Sequence, residues 1–188
     1  MSELIRTFIA VEIENKGVLR KLIEVRDQLA STGADIKPVE DENIHLTIRF
    51  IGEVPEALVR TLCDEIKNVK YPKFQMHIKG IGVFPNMSRP RVIWAGVSEG
   101  ADRLIDLAKI IEAIVRKIGI PPDREEFVPH ITIARVKGLR NIDKLIKAIY
   151  NFTNIDFGVS EITGIYVKKS VLTPRGPIYS NLCSVNLQ

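Results

Sequence analysis

Two of the three histidines in this sequence lie in nearly the same short phrase. His45 opens HLTIRF and His130 opens HITIAR, so each is followed two positions later by a threonine, Thr47 or Thr132. With eight threonines in 188 residues, this coincidence has a chance probability of roughly 0.5%. The repeated phrase therefore requires a cause.

An imidazole paired with a hydroxyl suits acid–base chemistry at a phosphate. Because the reference pKa of histidine is about 6.5, one imidazole can take a proton from water while the other gives a proton to a leaving oxygen. A threonine hydroxyl can donate a hydrogen bond to a nonbridging phosphate oxygen. We therefore predict a phosphodiester substrate. The alternative is that these are outward polar positions of two half-buried strands, kept alike by shared ancestry.

Alternation of residue types predicts that each phrase is a strand with histidine and threonine on one face. The apolar residues of HLTIRF alternate with His45 and Thr47, which is the period of a half-buried strand. By the same alternation Arg49 should share the face of His45. Arg135 should point away from His130, unless a bulge or strand end intervenes.

The elements predicted around these strands occur twice in the same order. Each half contains a strand, a helix, the His-Thr strand, a second helix and a further strand, and one more strand follows at the C-terminus. The histidines are 85 residues apart, and the first helices of the two halves, from Lys16 and Ala101, also begin 85 residues apart. We predict an α+β fold of two pseudo-symmetric lobes, each an antiparallel sheet with helices packed outside, and a central cleft. All 188 residues then form one bilobal domain with an internal duplication, whose approximate halves are 1–88 and 89–188.

The predicted element boundaries are as follows. Helices are expected at 16–30, from Pro55, at 101–118 and after an N-cap at Asn141. Strands are expected at 4–13, around 74–78, and at 91–97, 128–136, 157–167 and 178–187.

Composition excludes several classes of protein. A hydrophobic content of 45% and a charged content of 27% are typical of a globular chain and not of a disordered one. Without an apolar run of about 18 residues or a signal-peptide pattern, a cytoplasmic protein with no membrane contact is expected. The net charge of +4 gives weak support for an anionic partner such as RNA. Cys63 and Cys183 match no metal or redox spacing, so buried thiols are expected instead of a disulfide.

The sequence predicts chemistry without a metal. Its three histidines form no HxxxH pattern and its two cysteines form no CxxC pattern, and a single ion between His45 and His130 is the main rival mechanism. The third histidine, His77, has no threonine two positions on. It is expected to be a solvated strand residue.

Five segments in order resemble the two-histidine (2H) phosphoesterases, specifically the bacterial and archaeal RNA 2′,3′-cyclic phosphodiesterases, also called 2′-5′ RNA ligases. These segments are RTFIAVEI, NIHLTIRFIGEV, GVFPNMSRPRVIWAGV, FVPHITIARV and KSVLTPRGPIYSNL. The resemblance implies hydrolysis of RNA 2′,3′-cyclic phosphate to a 2′-phosphate without metal or cofactor, and in some members reversible joining of RNA ends through 2′-5′ linkages. The implied partners are RNAs with 2′,3′-cyclic phosphate or 2′-phosphate ends, tRNA fragments among them.

The resemblance also implies roles for individual residues. His45 is expected to be the proton donor to the leaving 3′ oxygen, and His130 the proton acceptor that activates water. The expected phosphate-binding residues are Thr47, Thr132 and Arg135. Phe8 matches a family aromatic near the nucleobase, although core packing fits it equally well. The alternatives are a nucleotide-dependent RNA ligase, against which the lack of a Lys-containing nucleotidyl-transfer motif argues, and a noncatalytic RNA-binding module.

Overall fold

The computed structural model describes residues 3–188, which contain nine strands and four α-helices. The strands are β1 (Leu4–Glu12), β2 (Ile36–Pro38), β3 (His45–Pro55), β4 (Phe74–Phe84), β5 (Val92–Val97), β6 (His130–Val136), β7 (Asp156–Ile162), β8 (Gly164–Thr173) and β9 (Gly176–Asn186). The helices are α1 (Lys16–Ala30), α2 (Glu56–Ile66), α3 (Ala101–Lys117) and α4 (Ile142–Asn151). A short 3-10 helix, Asp41–Asn43, leads into β3.

The strands form two antiparallel sheets with the helices packed against them. Sheet A has the order β3-β1-β8-β9, and sheet B has the order β2-β6-β5-β4-β7. Helix α2 packs on β1, β3 and β9, and α3 packs on α2 and β3, whereas α1 and α4 pack on sheet B. The predicted α+β fold of two sheet-and-helix lobes is therefore confirmed. Among residues 3–188 no helix is long and apolar enough to cross a membrane.

The two sheets do not coincide with the two halves of the sequence. Sheet A combines β1 and β3 from the first half with β8 and β9 from the second, and sheet B is mixed in the same way. Helix α1, from the first half, packs on sheet B, and α3, from the second half, packs on a strand of sheet A. Each sheet contains strands from both halves, and the single bilobal domain stays a prediction. The internal duplication with halves 1–88 and 89–188 stays a prediction.

The helices form where an apolar stripe is bounded by end signals. Asn15 precedes α1, and its Oδ1 accepts hydrogen bonds from the backbone N–H groups of Gly17 (2.9 Å) and Val18 (3.2 Å), as an N-cap does. The stripe of α1 is buried at Val18, Leu22, Val25 and Leu29, a spacing of three to four residues. Gly119 follows α3 at a φ of +92°, the left-handed conformation in which glycine commonly ends a helix.

Three local predictions differ from the structure. The strand expected at 157–167 is two strands, β7 and β8, separated at Thr163, where the chain passes from sheet B to sheet A. Strand β2 was not predicted, because three residues carry no readable alternation. Asn141 does precede α4, but at a φ of 53° and without a side-chain cap bond. Its Nδ2 instead donates to the Thr32 carbonyl at 3.3 Å.

Cys63 and Cys183 form a disulfide, so the expectation of buried free thiols is wrong. Cys63 lies on α2 and Cys183 on β9, and the two residues are 120 positions apart. Their proximity depends on the packing of α2 against the outer strand of sheet A. Sequence spacing alone could not reveal that contact.

Loss of this disulfide should lower the free energy of unfolding. A closed loop of 120 residues corresponds to about 5 kcal/mol in the chain-entropy account, which is an upper figure for Cys63→Ser. The measurement is urea unfolding of the oxidised protein and of the variant, each with and without reductant. Reductant should bring the wild type to the stability of Cys63→Ser and leave the variant unchanged. A variant as stable as the oxidised wild type would contradict this prediction.

Candidate active site

Strands β3 and β6 bring the two His-Thr phrases to one cleft. This cleft has a volume of about 790 Å³ and is lined by residues from both sheets, including His45, Thr47, His130 and Thr132. The convergence expected from the repeated phrases is therefore present. The catalytic roles of these residues stay predictions at this point.

Both imidazoles are fixed in the same way. His45 Nδ1 donates to the Asn43 carbonyl at 2.6 Å, and His130 Nδ1 donates to the Val128 carbonyl at 2.6 Å. Because a carbonyl can only accept, each Nδ1 carries a proton, and Nε2 of the neutral ring is left as the acceptor. The Thr47 hydroxyl lies 2.8 Å from His45 Nε2. Both rings thus have Nε2 as the atom that can exchange a proton with a ligand.

Apolar surroundings favour the uncharged form of His45. Its ring packs against Phe8 and Tyr179, with ring centroids 5.1 and 5.3 Å away. Burial lowers the pKa of His45 from 6.5 to about 4, although the bond to the Asn43 carbonyl acts in the opposite direction. The nearby ion pair between Lys168 and Glu12, at 2.8 Å, contributes opposing effects on this pKa. The charge of His130 adds a small lowering effect.

His130 also lies among aromatic rings. Its centroid is 5.1 Å from that of Phe84 and 6.1 Å from that of Trp94, which is the single tryptophan of the chain. The indole ring lies directly over Gly82, where any Cβ would overlap it. The glycine therefore gives the indole the room to pack beside His130. No acceptor for the buried Trp94 Nε1 is present in the part of the chain that the structure describes.

A bulge in β6 brings Arg135 to the cleft. Trp94 of β5 is opposite Thr132, but the preceding residue, Ile93, is opposite Ala134, so Ile133 is an extra residue in β6. An extra residue resets the alternation of faces. Arg135 consequently lines the same cleft as Thr132, which meets the condition set by the sequence.

A matching bulge in β3 turns Arg49 away from the cleft. Ala10 is opposite Thr47 and Ile9 is opposite Arg49, so the strand has an extra residue at Ile48. Arg49 is 8% exposed, and its Nε donates to Glu112 Oε2 at 2.8 Å. The expectation that Arg49 shares the His45 face is therefore wrong, because strict alternation ignores the bulge.

Several residues that shape the site were not singled out from the sequence. The Asn43 side chain is buried and donates to the Pro177 carbonyl at 2.8 Å. Arg26 bonds the Val39 carbonyl and the Asp41 carboxylate, each at 2.6 Å, and so holds the turn before His45. These residues lie outside the repeated phrase. Tyr179 lies within the closing segment KSVLTPRGPIYSNL, but nothing in the sequence assigns its ring to the site.

Phe8 and His77 have positions that limit their roles. Phe8 is 3% exposed, and its ring lines the cleft and packs against His45 and Tyr179 at 5.1 and 4.9 Å, so its packing role is present and its contact with a base stays a prediction. His77 on β4 does not line the cleft, and its Nε2 is 2.8 Å from Asp156 Oδ1. It is paired, where the sequence suggested a simply solvated side chain.

Comparison with known proteins decides the family. A sequence model described as LigT-like phosphoesterase matches residues 11–94 and again residues 96–179. The chain belongs to the LigT-like phosphoesterase family. Relatives within it include a protein of Aeropyrum pernix, 40% identical over 165 residues (88% of this chain, 94% of the relative), and one of Methanothermobacter thermautotrophicus, 37% identical over 180 residues (95% and 96%). Both relatives are named RNA 2′,3′-cyclic phosphodiesterase.

Two solved structures have the same fold. A Thermus thermophilus protein matches with a TM-score of 0.81 and 28% identity, over 96% of this chain and 97% of the other. The apo form of Escherichia coli LigT matches with a TM-score of 0.79 and 24% identity, over 100% and 99%. The resemblance drawn from the five sequence segments is confirmed.

The lowered pKa of His45 should make stability depend on pH in a defined window. The unfolded imidazole takes up a proton near pH 6.5, whereas the folded one stays neutral down to about pH 4. Stability from this group is therefore lost as the pH falls from about 6.5 to 4, by on the order of 3 kcal/mol. The measurement is urea unfolding at pH 7 and pH 4 for the wild type and His45→Gln. Carboxylates affect both proteins alike, so the free energy of unfolding should fall less for the variant than for the wild type between pH 7 and pH 4. Equal decreases would contradict the assigned pKa.

Proposed function

We propose that this protein hydrolyses RNA ending in a 2′,3′-cyclic phosphate to RNA ending in a 2′-phosphate, with His45 and His130 as the acid–base pair. The observation that carries the proposal is the pair of imidazoles with protonated Nδ1 atoms and available Nε2 atoms in one cleft, each with a threonine two residues on. The names of the family relatives at 37% and 40% identity support the substrate class.

The proposed reaction is a displacement at phosphorus. His130 Nε2 takes a proton from water, and the water oxygen forms a bond to phosphorus while the bond from phosphorus to the 3′ oxygen breaks. His45 gives its Nε2 proton to that 3′ oxygen, so the 2′ ester remains. The hydroxyls of Thr47 and Thr132 donate to the nonbridging oxygens, where negative charge increases in the transition state. The guanidinium of Arg135 supports the same oxygens as a charged donor.

The lowered pKa of His45 affects how a donor role can operate. With a pKa of about 4, only about one empty site in a thousand holds a charged His45 at pH 7. A bound phosphate anion favours the imidazolium. We propose that substrate binding is coupled to proton uptake by His45. The opposite assignment, with His45 as base and His130 as acid, is the alternative that the variants below distinguish.

Joining of RNA ends would use the same groups with a different nucleophile. A 5′-hydroxyl in place of water would attack the cyclic phosphate, the bond to the 3′ oxygen would break, and a 2′-5′ linkage would result. A nucleotide-dependent ligase would instead require ATP or GTP, and a noncatalytic RNA-binding module would give no turnover.

We also propose a cytoplasmic location. Because disulfides are rare in reducing compartments, this location implies that activity survives reduction of the Cys63–Cys183 bond.

A short RNA with a 2′,3′-cyclic phosphate end should be converted to a 2′-phosphate without added nucleotide. The reason for the 2′ product is that the proposed acid lies beside the 3′ oxygen. The product terminus is identified by phosphorus NMR, with and without a chelator and with and without reductant. Recovery of mainly 3′-phosphate would reverse the substrate orientation. Activity abolished by chelator and restored by a divalent ion would assign the reaction to a metal.

Replacing either motif histidine should lower turnover strongly. His45→Gln and His130→Gln should each reduce kcat by roughly 100-fold to 10,000-fold, and the double variant should be much less than multiplicatively worse. His77→Gln serves as the control and should keep full activity.

The two roles are separated with a cyclic substrate whose leaving 3′ oxygen is replaced by sulfur. A thiolate leaves without protonation, so this substrate should restore most of the lost rate in the donor variant, His45→Gln, and little in His130→Gln. Restoration in His130→Gln only would exchange the two roles. Full activity of either variant on the natural substrate would contradict the paired mechanism.

A further inference from the structure

A cluster of cations lies beside the two histidines in the same cleft. We name Lys37, Arg135 and Arg175 the basic cluster; all three line the cleft. Lys37 of β2 and Arg135 of β6 are directly opposite each other in sheet B. Arg175 lies in the turn between β8 and β9 of sheet A. A methyl group built on the next residue, Gly176, would lie 3.9 Å from Lys37 Nζ, so the turn and Lys37 are in contact range.

The charges of the basic cluster are not compensated by the described chain. Two like charges directly opposite on adjacent strands destabilise a sheet. Among the ion pairs formed within residues 3–188, none includes a member of the cluster. Lys168, beside His45, by comparison forms an ion pair with Glu12 at 2.8 Å. The arrangement therefore favours an anion supplied from outside.

Another part of the cleft lining carries negative charge. The segment before β6 contributes three exposed carboxylates, Asp123, Glu125 and Glu126. A polyanion held at the histidines would be repelled by these carboxylates and attracted toward the basic cluster. These charges thus favour an RNA chain that extends toward the basic cluster.

We propose that Lys37 and Arg175 of the basic cluster bind the phosphate on the 5′ oxygen of the terminal nucleotide while the cyclic phosphate of that nucleotide lies between the histidines. This inference rests on the proposed function. In an RNA that ends in a 2′,3′-cyclic phosphate, the nearest other phosphate is the one on the 5′ side of the same ribose. Arg135 reaches the reacting phosphate from one side of the cluster, and Lys37 and Arg175 hold the neighbouring phosphate. The preferred substrate is then an oligonucleotide, and a nucleoside cyclic phosphate lacks one recognised group.

The test compares three substrates: a nucleoside 2′,3′-cyclic phosphate, the same nucleotide with a 5′-phosphate, and a dinucleotide with a cyclic phosphate end. The two substrates with a phosphate on this 5′ oxygen should each have a kcat/KM roughly tenfold or more above that of the nucleoside cyclic phosphate. The gain should come mainly through KM, since charged hydrogen bonds contribute at least that much. Lys37→Ala and Arg175→Ala should each remove most of this gain and leave kcat/KM for the nucleoside cyclic phosphate within about twofold of wild type.

Lys147→Ala is the matched control. Lys147 is exposed on α4 and does not line the cleft. Its replacement removes the same charge without touching the basic cluster, so this variant should keep the full increase in kcat/KM that the 5′ phosphate gives. Equal kcat/KM for all three substrates would overturn the proposal. An equal loss on all substrates in Lys37→Ala would also overturn it, because Lys37 would then serve the reacting phosphate. A gain confined to the 5′-phosphorylated mononucleotide would exclude an RNA chain as the occupant.

Equilibrium binding keeps this test separate from the proposed function. The affinities of a nucleoside 2′-phosphate and the corresponding 2′,5′-bisphosphate are compared in wild type and in Lys37→Ala. Absence of turnover with every substrate would contradict the proposed function, whereas the ratio of these two affinities tests the cluster alone. The bisphosphate should bind at least tenfold more tightly to the wild type only. Equal affinities in the wild type would overturn the proposal.

Discussion

The hydrogen bond from each histidine Nδ1 to the carbonyl two residues earlier is the constraint on which the rest of the site depends. It fixes the tautomer and the ring orientation together, so that Nε2 is the reactive atom on both sides of the cleft. Each histidine is also the first residue of its strand, and the acceptor carbonyl lies in the segment just before it. The turn before β3 is held by Arg26, whereas Pro129 restricts Val128 to an extended conformation before His130. Two different local structures, the Arg26 contacts and Pro129, thus produce the same hydrogen bond from Nδ1 to the carbonyl.

The two bulges let three residues of each motif strand line the cleft: the histidine, the threonine two positions on and the residue five positions on. In a regular strand, residues two positions apart share a face and residues five apart do not. The extra residues at Ile48 and Ile133 bring the fifth position after each histidine back to the cleft, where one strand carries Phe50 and the other carries Arg135. Arg6 stacks on the Phe50 ring at 4.7 Å. A nearly symmetric pair of histidines therefore lies in asymmetric surroundings. This asymmetry favours one orientation of a bound RNA over the other.

The sequence was sufficient for the parts of the fold that depend on local pattern. The helix at 16–30, the two motif strands and the facing of His45 and His130 followed from periodicity and repetition. It was insufficient wherever a contact joins distant segments. The Cys63–Cys183 bond depends on helix packing, and the buried ion pair of Arg49 with Glu112 depends on a bulge that no single-strand pattern encodes. Backbone carbonyls such as those of Asn43 and Val128 leave no sequence signal, because any residue can supply them.

The electrostatics of the cleft link the state of His45 to the presence of a phosphate. Burial among Phe8 and Tyr179 keeps the imidazole neutral when the site is empty. The same exclusion of water strengthens any charge interaction inside the cleft, so an anion affects this imidazole more than it would affect one in bulk solvent. Arg135 adds a positive charge to the same cleft, which attracts the anion. Under the proposed mechanism, a phosphate bound between the guanidinium and the ring favours the imidazolium, which makes substrate position and proton position interdependent.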